Sequence, residues 1–204
     1  MEDIYSLLQP YSRYPNNSAE YVDKMIHDVP RVAVVDRHQF ILNQCEGKRV
    51  VNFGSASGEL HEKIKKVASS TFGIDKIEPA DYLVNLDDPF YSLHGLVEAD
   101  IYVVGEVIEH LSNPGAFLER LRAAVLANGA KNAQIIFTVP NAFSQAAQKS
   151  MVNHVENVNI DHVAWYSYTT IQTLLKRFKY AISGMKWYNG KPFTAEGLIV
   201  IAKV

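Results

Sequence analysis

From Lys48 onward, short apolar runs alternate with stretches in which apolar residues recur at helical spacing. "RVVNF" (49–53) predicts a buried strand. "GELHEKIKKVA" (58–68) predicts a helix, with Leu60, Ile64, Val67 and Ala68 on one face. "STFGID" (70–75) and "DYLVNLD" (81–87) predict a second and a short third strand, and "ADIYVVG" (99–105) a fourth. "PGAFLERLRAAVLANG" (114–129) predicts a helix entered through an Asn113 cap and a first-turn Pro114 and stopped at Gly129. "AQIIFTVP" (133–140) predicts a fifth strand and "TTIQTLLKRF" (169–178) another helix. "YAISGMKWY" (180–188) and "EGLIVIAKV" (196–204) predict a closing strand pair. This order predicts an α/β fold, a doubly wound and mostly parallel seven-stranded sheet with an antiparallel last strand. Residues 1–47, polar and aromatic at first (Tyr5, Tyr11, Tyr14, Tyr21), are expected to form an N-terminal helical extension or lid on a single globular unit, 48–204.

Bulk composition narrows the classes. The 204 residues suit one domain with a sizeable core. A net charge of −2 does not favour a nucleic-acid or anionic-membrane partner through the overall field. Lys63, Lys65 and Lys66 cluster on a helix and read as a solvated face. A lone cysteine, Cys45, and the lack of a signal-peptide pattern or a membrane-length apolar run fit a cytoplasmic location with no membrane partner.

In an open α/β sheet, ligands bind beyond the carboxyl ends of the strands, and the chemistry-bearing residues fall there. "VVNFGSASGEL" (50–60) is a strand, a turn with Gly54 and Gly58, and a helix start. Its amides, from Ser55 to Gly58, suit a carboxylate or phosphate, although a plain connection reads the same way. Asp75, 17 residues past Gly58, ends the second strand, where an acid accepts both hydroxyls of an adenosine ribose. A turn or cap is the plain alternative. Asp87 or Asp88 would accept from an adenine amino group, or simply build the turn "DDP".

The stretch "VVGEVIEHLSNP" (103–114) carries the sharpest signal. Glu106, Glu109 and His110 stand at i, i+3 and i+4, which on one helical turn places them side by side, with Val107, Ile108 and Leu111 behind. Adjacent carboxylates repel unless something positive lies between them. A divalent metal would supply it, whereas a solvated amphipathic turn is the plain alternative.

Together, "VVNFGSASGEL", "FGID", "VNLDD", "ADIYVVGEVIEHL" and "IIFTVPN" resemble the class I S-adenosylmethionine-dependent methyltransferase family, over about residues 48–203. A nicotinamide dehydrogenase would need Gly-x-Gly-x-x-Gly, which the loop lacks. The resemblance implies a Rossmann-like fold, S-adenosylmethionine as cofactor, and a cofactor site at Asn52, Gly54, Ser55, Gly58, Asp75, Lys76, Asp87 and Gly105. It is closest to branches carrying Glu-x-x-Glu-His after strand four. There a histidine beyond strand five completes a metal site, matched here by His162 with His154 in reserve. One of these branches methylates the 2′-hydroxyl at small-RNA 3′ ends, and the other makes ubiquinone-type O-methyl ethers. Glu106, Glu109, His110 and His162 are then the expected ligands of Mg or Zn, with Glu106 and His110 as catalytic residues. The chain departs from the family at Asn52, where an acid is usual, and at Ala56, where glycine is usual.

The expected activity is O-methylation of a small molecule with metal assistance. The alternatives are an RNA-modifying methyltransferase and a non-catalytic binding protein on the same fold. A homodimer is one assembly the sequence allows. Trp165, Tyr166, Tyr168 and Phe143, and also Trp187, Tyr188 and Phe193, either wall a substrate pocket or pack the last helix on the sheet.

Overall fold

A computed structural model describes residues 28–55, 58–93 and 95–204. Arg31–Val204 forms one compact unit and Met1–Pro30 another, of which only the last three residues are described. The elements of the larger unit are β1 (Val34–Val35), α1 (Arg37–Cys45), β2 (Arg49–Phe53), α2 (Glu59–Val67), β3 (Ser70–Asp75), β4 (Tyr82–Leu83), β5 (Ile101–Gly105), a 3-10 turn (Ile108–His110), α3 (Pro114–Ala127), β6 (Gln134–Pro140), α4 (Gln145–Val152), α5 (Tyr168–Arg177), β7 (Ala181–Tyr188) and β8 (Gly197–Lys203).

The strands make one eight-stranded sheet in the order β1-β7-β8-β6-β5-β2-β3-β4. All neighbours are parallel except β8, which runs antiparallel to both β6 and β7. The central strands are apolar along their whole length, as strands covered on both faces must be. Alternate residues serve alternate layers. Val50, Ile101, Val103 and Ile136 face a cluster with Ile41, Cys45 and Ile64 of α1 and α2. On the other face Phe53 meets Phe117 edge-on at 5.5 Å, and Phe137 meets Tyr180 likewise at 5.5 Å.

Several expectations shift. The stretch 31–47, read from sequence as part of the extension, supplies β1 at the sheet edge and α1 in the core. Asp36 caps α1 by accepting from the Gln39 amide at 2.7 Å. The strand expected over 81–87 is only Tyr82–Leu83, because local polar groups take over on both sides. Asp81 accepts from the Gly73 amide at 2.6 Å, and the Asn85 side chain accepts from the Asp87 amide at 3.0 Å, which turns the chain. The lysines of α2 lie on a solvated face, Lys63 paired with Glu59 and Lys65 with Glu62. Among the described residues, no helix is long and apolar enough to cross a membrane.

Strand β2 leads to β3 on one side, and β5 leads to β6 on the other. The chain direction across the sheet therefore reverses between β2 and β5, and the carboxyl ends of these two strands frame the site.

Candidate methyl-transfer site

A cleft of about 610 Å³ opens there, within the range of small-ligand sites. Gly54, Asp75, Lys76, Asp87, Glu106 and His110 all line it. Gly54 leaves β2 with φ +72°, and a Cβ there would stand 3.0 Å from Val107 Cγ2. Both the backbone conformation and the space call for glycine. Asp75 ends β3 and turns the chain, its Oδ1 accepting from the amides of Lys76 at 2.6 Å and Ile77 at 3.3 Å. Asp87 accepts from the Ser112 amide at 2.8 Å and its hydroxyl at 3.3 Å, which ties the far side of the cleft to the segment after the Glu-x-x-Glu-His stretch.

Other expected cofactor residues lie elsewhere. Asn52 is buried beneath the loop, with its amide nitrogen 3.3 Å from His61 Nδ1. Ser55 is buried with its hydroxyl unpaired. Gly58 caps α2, and Gly105 packs toward the Thr138 side chain. Ala56 lies outside the described residues.

The stretch that follows β5 is not the side-by-side helical turn expected. Glu106 is left-handed, with φ +55°. Only Ile108–His110 form a short 3-10 turn. Glu106 thus precedes the helical turn, and Glu109 falls on its interior side, 1% exposed and as buried as Ile108 and Leu111. The Glu106 amide still pairs with the Thr138 carbonyl at 3.0 Å, which continues the β5–β6 ladder. Its Oε1 accepts from the Thr138 hydroxyl at 2.8 Å and the Tyr188 hydroxyl at 3.0 Å, and lies 3.4 Å from the Arg37 guanidinium. A left-handed non-glycine residue costs roughly 1–2 kcal/mol, and these three partners hold it.

Glu109, His110 and His162 converge, with one potential ligand atom from each lying within 4.8 Å of the others. The two imidazoles meet edge-on, 4.5 Å between centroids. His162 is carried in by backbone bonds, since the amides of Val163 and Ala164 both donate to the Glu109 carbonyl, at 2.8 and 3.2 Å. Neither carboxylate oxygen of Glu109 has a hydrogen-bond partner. Burial, and then the Glu106 charge, push its carboxyl up to about 8. Burial, and then His110, hold the His162 imidazole below its ordinary value. A buried carboxylate without donors beside two imidazoles fits a divalent cation. Glu106 is not in this cluster, and neither is His154.

The aromatics divide. Tyr166, Trp187 and Tyr188 are buried, while Phe143 and Trp165 stand exposed. Burial raises the Tyr188 hydroxyl, with the Glu106 charge adding to it. From sequence, Arg37 and Thr138 carry no assignment, and Tyr188 is named only as a pocket-wall or packing aromatic. They lie on three separate elements, and only the register of β1 on β7 and of β6 on β5 brings them to Glu106. No local signal marks them.

The methyltransferase domain family matches residues 25–183. No curated protein sequence is significantly similar. Among solved structures, the small RNA methyltransferase HEN1 superposes with a TM-score of 0.62 at 17% identity, over 87% of this chain and 27% of that one. This chain thus spans only about a quarter of that protein. A SAM-dependent methyltransferase from Archaeoglobus fulgidus gives 0.60 at 14% identity, over 99% and 100% of the two chains. The 1,6-didemethyltoxoflavin-N1-methyltransferase of Burkholderia thailandensis, with 1,6-didemethyltoxoflavin and S-adenosylhomocysteine bound, gives 0.57 at 11%, over 81% and 76%. At these identities the superpositions speak for the fold, and the family match covers most of the sequence. The cleft at the switch point of such a sheet agrees with that match, and the chain belongs to the methyltransferase domain family.

Proposed function

We propose that this enzyme methylates a hydroxyl oxygen of a small molecule bearing two adjacent oxygens, such as a catechol or vicinal diol, and that a divalent ion at Glu109, His110 and His162 assists. The observation that carries the reading is the Glu109 carboxylate, buried without a hydrogen bond and facing two imidazoles. An unsatisfied buried group of this kind costs about 1–3 kcal/mol, more when charged, and a cation offsets it. The two imidazole nitrogens suit Zn²⁺, and the carboxylate oxygen, with water completing the shell, suits Mg²⁺ or Mn²⁺.

The donor half of the site is read the same way. Asp75 lines the cleft where a ribose would present its hydroxyls, and Gly54 lets backbone and ligand approach. The N-terminus of α2 offers amides to the methionine carboxylate. Glu106 and His110 line the cleft, and His110, which also belongs to the cluster, is the side chain expected to touch the reacting groups. S-adenosylmethionine supplies an electrophilic methyl group, and a bound ion would lower the acceptor hydroxyl's pKa. What the protein adds is alignment of the oxygen with the sulfonium methyl.

A second reading is the 2′-hydroxyl of an RNA 3′ end, a vicinal diol as well. The likeness to the small RNA methyltransferase favours it, and the net charge of −2 weighs against it, since phosphate contacts need Lys and Arg. The test is calorimetric titration of Mg²⁺, Mn²⁺ and Zn²⁺ into the wild type and His162→Ala, followed by transfer of labelled methyl to catechols and to RNA 3′ ends. Stoichiometric metal binding lost in the variant supports the assignment, and unchanged binding overturns it. Methyl transfer to RNA ends alone, with salt-dependent RNA affinity, would put the second reading first.

A further inference from the structure

We infer that Glu106 is the counter-ion for the α-ammonium group of the bound cofactor, rather than a metal ligand. The inference rests on S-adenosylmethionine occupying the cleft. The α-ammonium group of the cofactor carries a full positive charge, and a carboxylate beside it offsets the cost of desolvation. Asn52 cannot provide one. It is neutral, lies under the loop, and its amide is engaged with His61.

Four described carboxylates line the cleft: Asp75, Asp87, Glu106 and Asp161. Asp87 gives one oxygen to the Ser112 amide and the other to the Ser112 hydroxyl. Asp75 lies at the end of β3, with β2 between it and β5. Asp161 sits on the loop ahead of His162, and no donor among the described residues holds its carboxylate. Glu106 is placed differently. It leaves β5 beside Gly54, whose missing Cβ would meet Val107 Cγ2 at 3.0 Å and the Gly105 carbonyl at 3.9 Å.

The carboxylate of Glu106 is also fixed in advance. Oε1 takes the Thr138 and Tyr188 hydroxyls and the Arg37 guanidinium. Oε2 has no protein donor among the described residues and is not a buried atom without a partner. One oxygen is thus anchored from β6, β7 and α1, and the other is left for a ligand that donates. An ammonium group fits, and a preorganised carboxylate loses little freedom on binding it. The same anchoring explains why Glu106 is left out of the cluster formed by Glu109, His110 and His162.

The test is calorimetry with two ligands, S-adenosylhomocysteine and 5′-methylthioadenosine, which shares the thioether nucleoside but lacks the amino acid. Glu106→Gln is expected to weaken S-adenosylhomocysteine about 10- to 100-fold, the scale of a lost charge-assisted hydrogen bond. It should leave methylthioadenosine and Mg²⁺ or Zn²⁺ affinities unchanged. Tyr188→Phe, which removes one anchor, should give a smaller loss for S-adenosylhomocysteine only. Asp161→Asn should match the wild type. Equal weakening of both nucleosides, unchanged S-adenosylhomocysteine affinity, or loss of metal affinity alone would each overturn the inference. A wild type that binds neither nucleoside would instead sink the cofactor site itself.

Discussion

The cleft and the Glu109–His110–His162 cluster beside it treat their carboxylates in opposite ways. On the donor half, Asp75 and Asp87 accept from backbone amides and from Ser112. In the cluster, Glu109 is buried with neither oxygen paired. In the first case the acid stabilises the turn that presents it, so folding and binding pull together. In the second, the fold holds a group at a cost that only a ligand removes, the usual relation between stability and a preformed charged site. Where acids are satisfied, the scaffold is being built; where an acid is left bare beside two imidazoles, chemistry is being prepared.

The comparison breaks most sharply at His162. Replacing it with Ala should lower divalent-ion affinity by at least about 100-fold, since loss of even an outer-shell partner costs 10- to 100-fold. Melting temperature should hardly change, because the loop is tied by the Val163 and Ala164 amides. Calorimetry and thermal melts check both. A variant that binds metal normally would remove the contrast.

The pH dependence comes next. Burial raises the Glu109 carboxyl to about 8, above the ordinary 4.5. The fold therefore favours the neutral acid. That contribution to stability is complete below about pH 4.5 and is lost as the pH rises toward 8, at up to about 1.4 kcal/mol per pH unit. Metal-free protein followed by urea denaturation should lose stability over this window. Saturating metal, which binds the ionised form, should flatten or reverse the slope.

Glu109→Leu sharpens the same point. It should stabilise the metal-free protein at pH 8 by about 1–3 kcal/mol while abolishing metal binding. Destabilisation would mean that the carboxylate has a structural partner after all. The smallest effect belongs to the donor half, where Asp87→Ala should cost about 1 kcal/mol by unpairing the Ser112 amide, with metal affinity untouched. A null result in denaturation would show that the turn stands without it.

The main elements were legible because their signals are local. The apolar runs predict β2 over 49–53 and β3 over 70–75, and both strands occupy those residues. Helix α3, read as 114–129, runs Pro114–Ala127 behind its Asn113 cap. Strand β1 escaped because two residues carry no periodicity, and α1 because it follows that strand within a polar stretch. The short β4 shows the opposite error, an apolar pattern ended early by Asp81 and Asn85.

Sequence alone determined the central strands, the glycine hinge at Gly54 and the concentration of Glu106, Glu109 and His110 after β5, because apolar period, turn chemistry and nearby spacing are all written locally. Only the tertiary structure decided which of those acids is bare and which is anchored. The left-handed backbone at Glu106 rotates it off the turn toward Thr138, Tyr188 and Arg37. His162, 52 residues beyond His110, closes on Glu109 through the backbone of its own loop. Such pairings depend on strand register and on where a distant loop docks, and no spacing along the chain encodes either one.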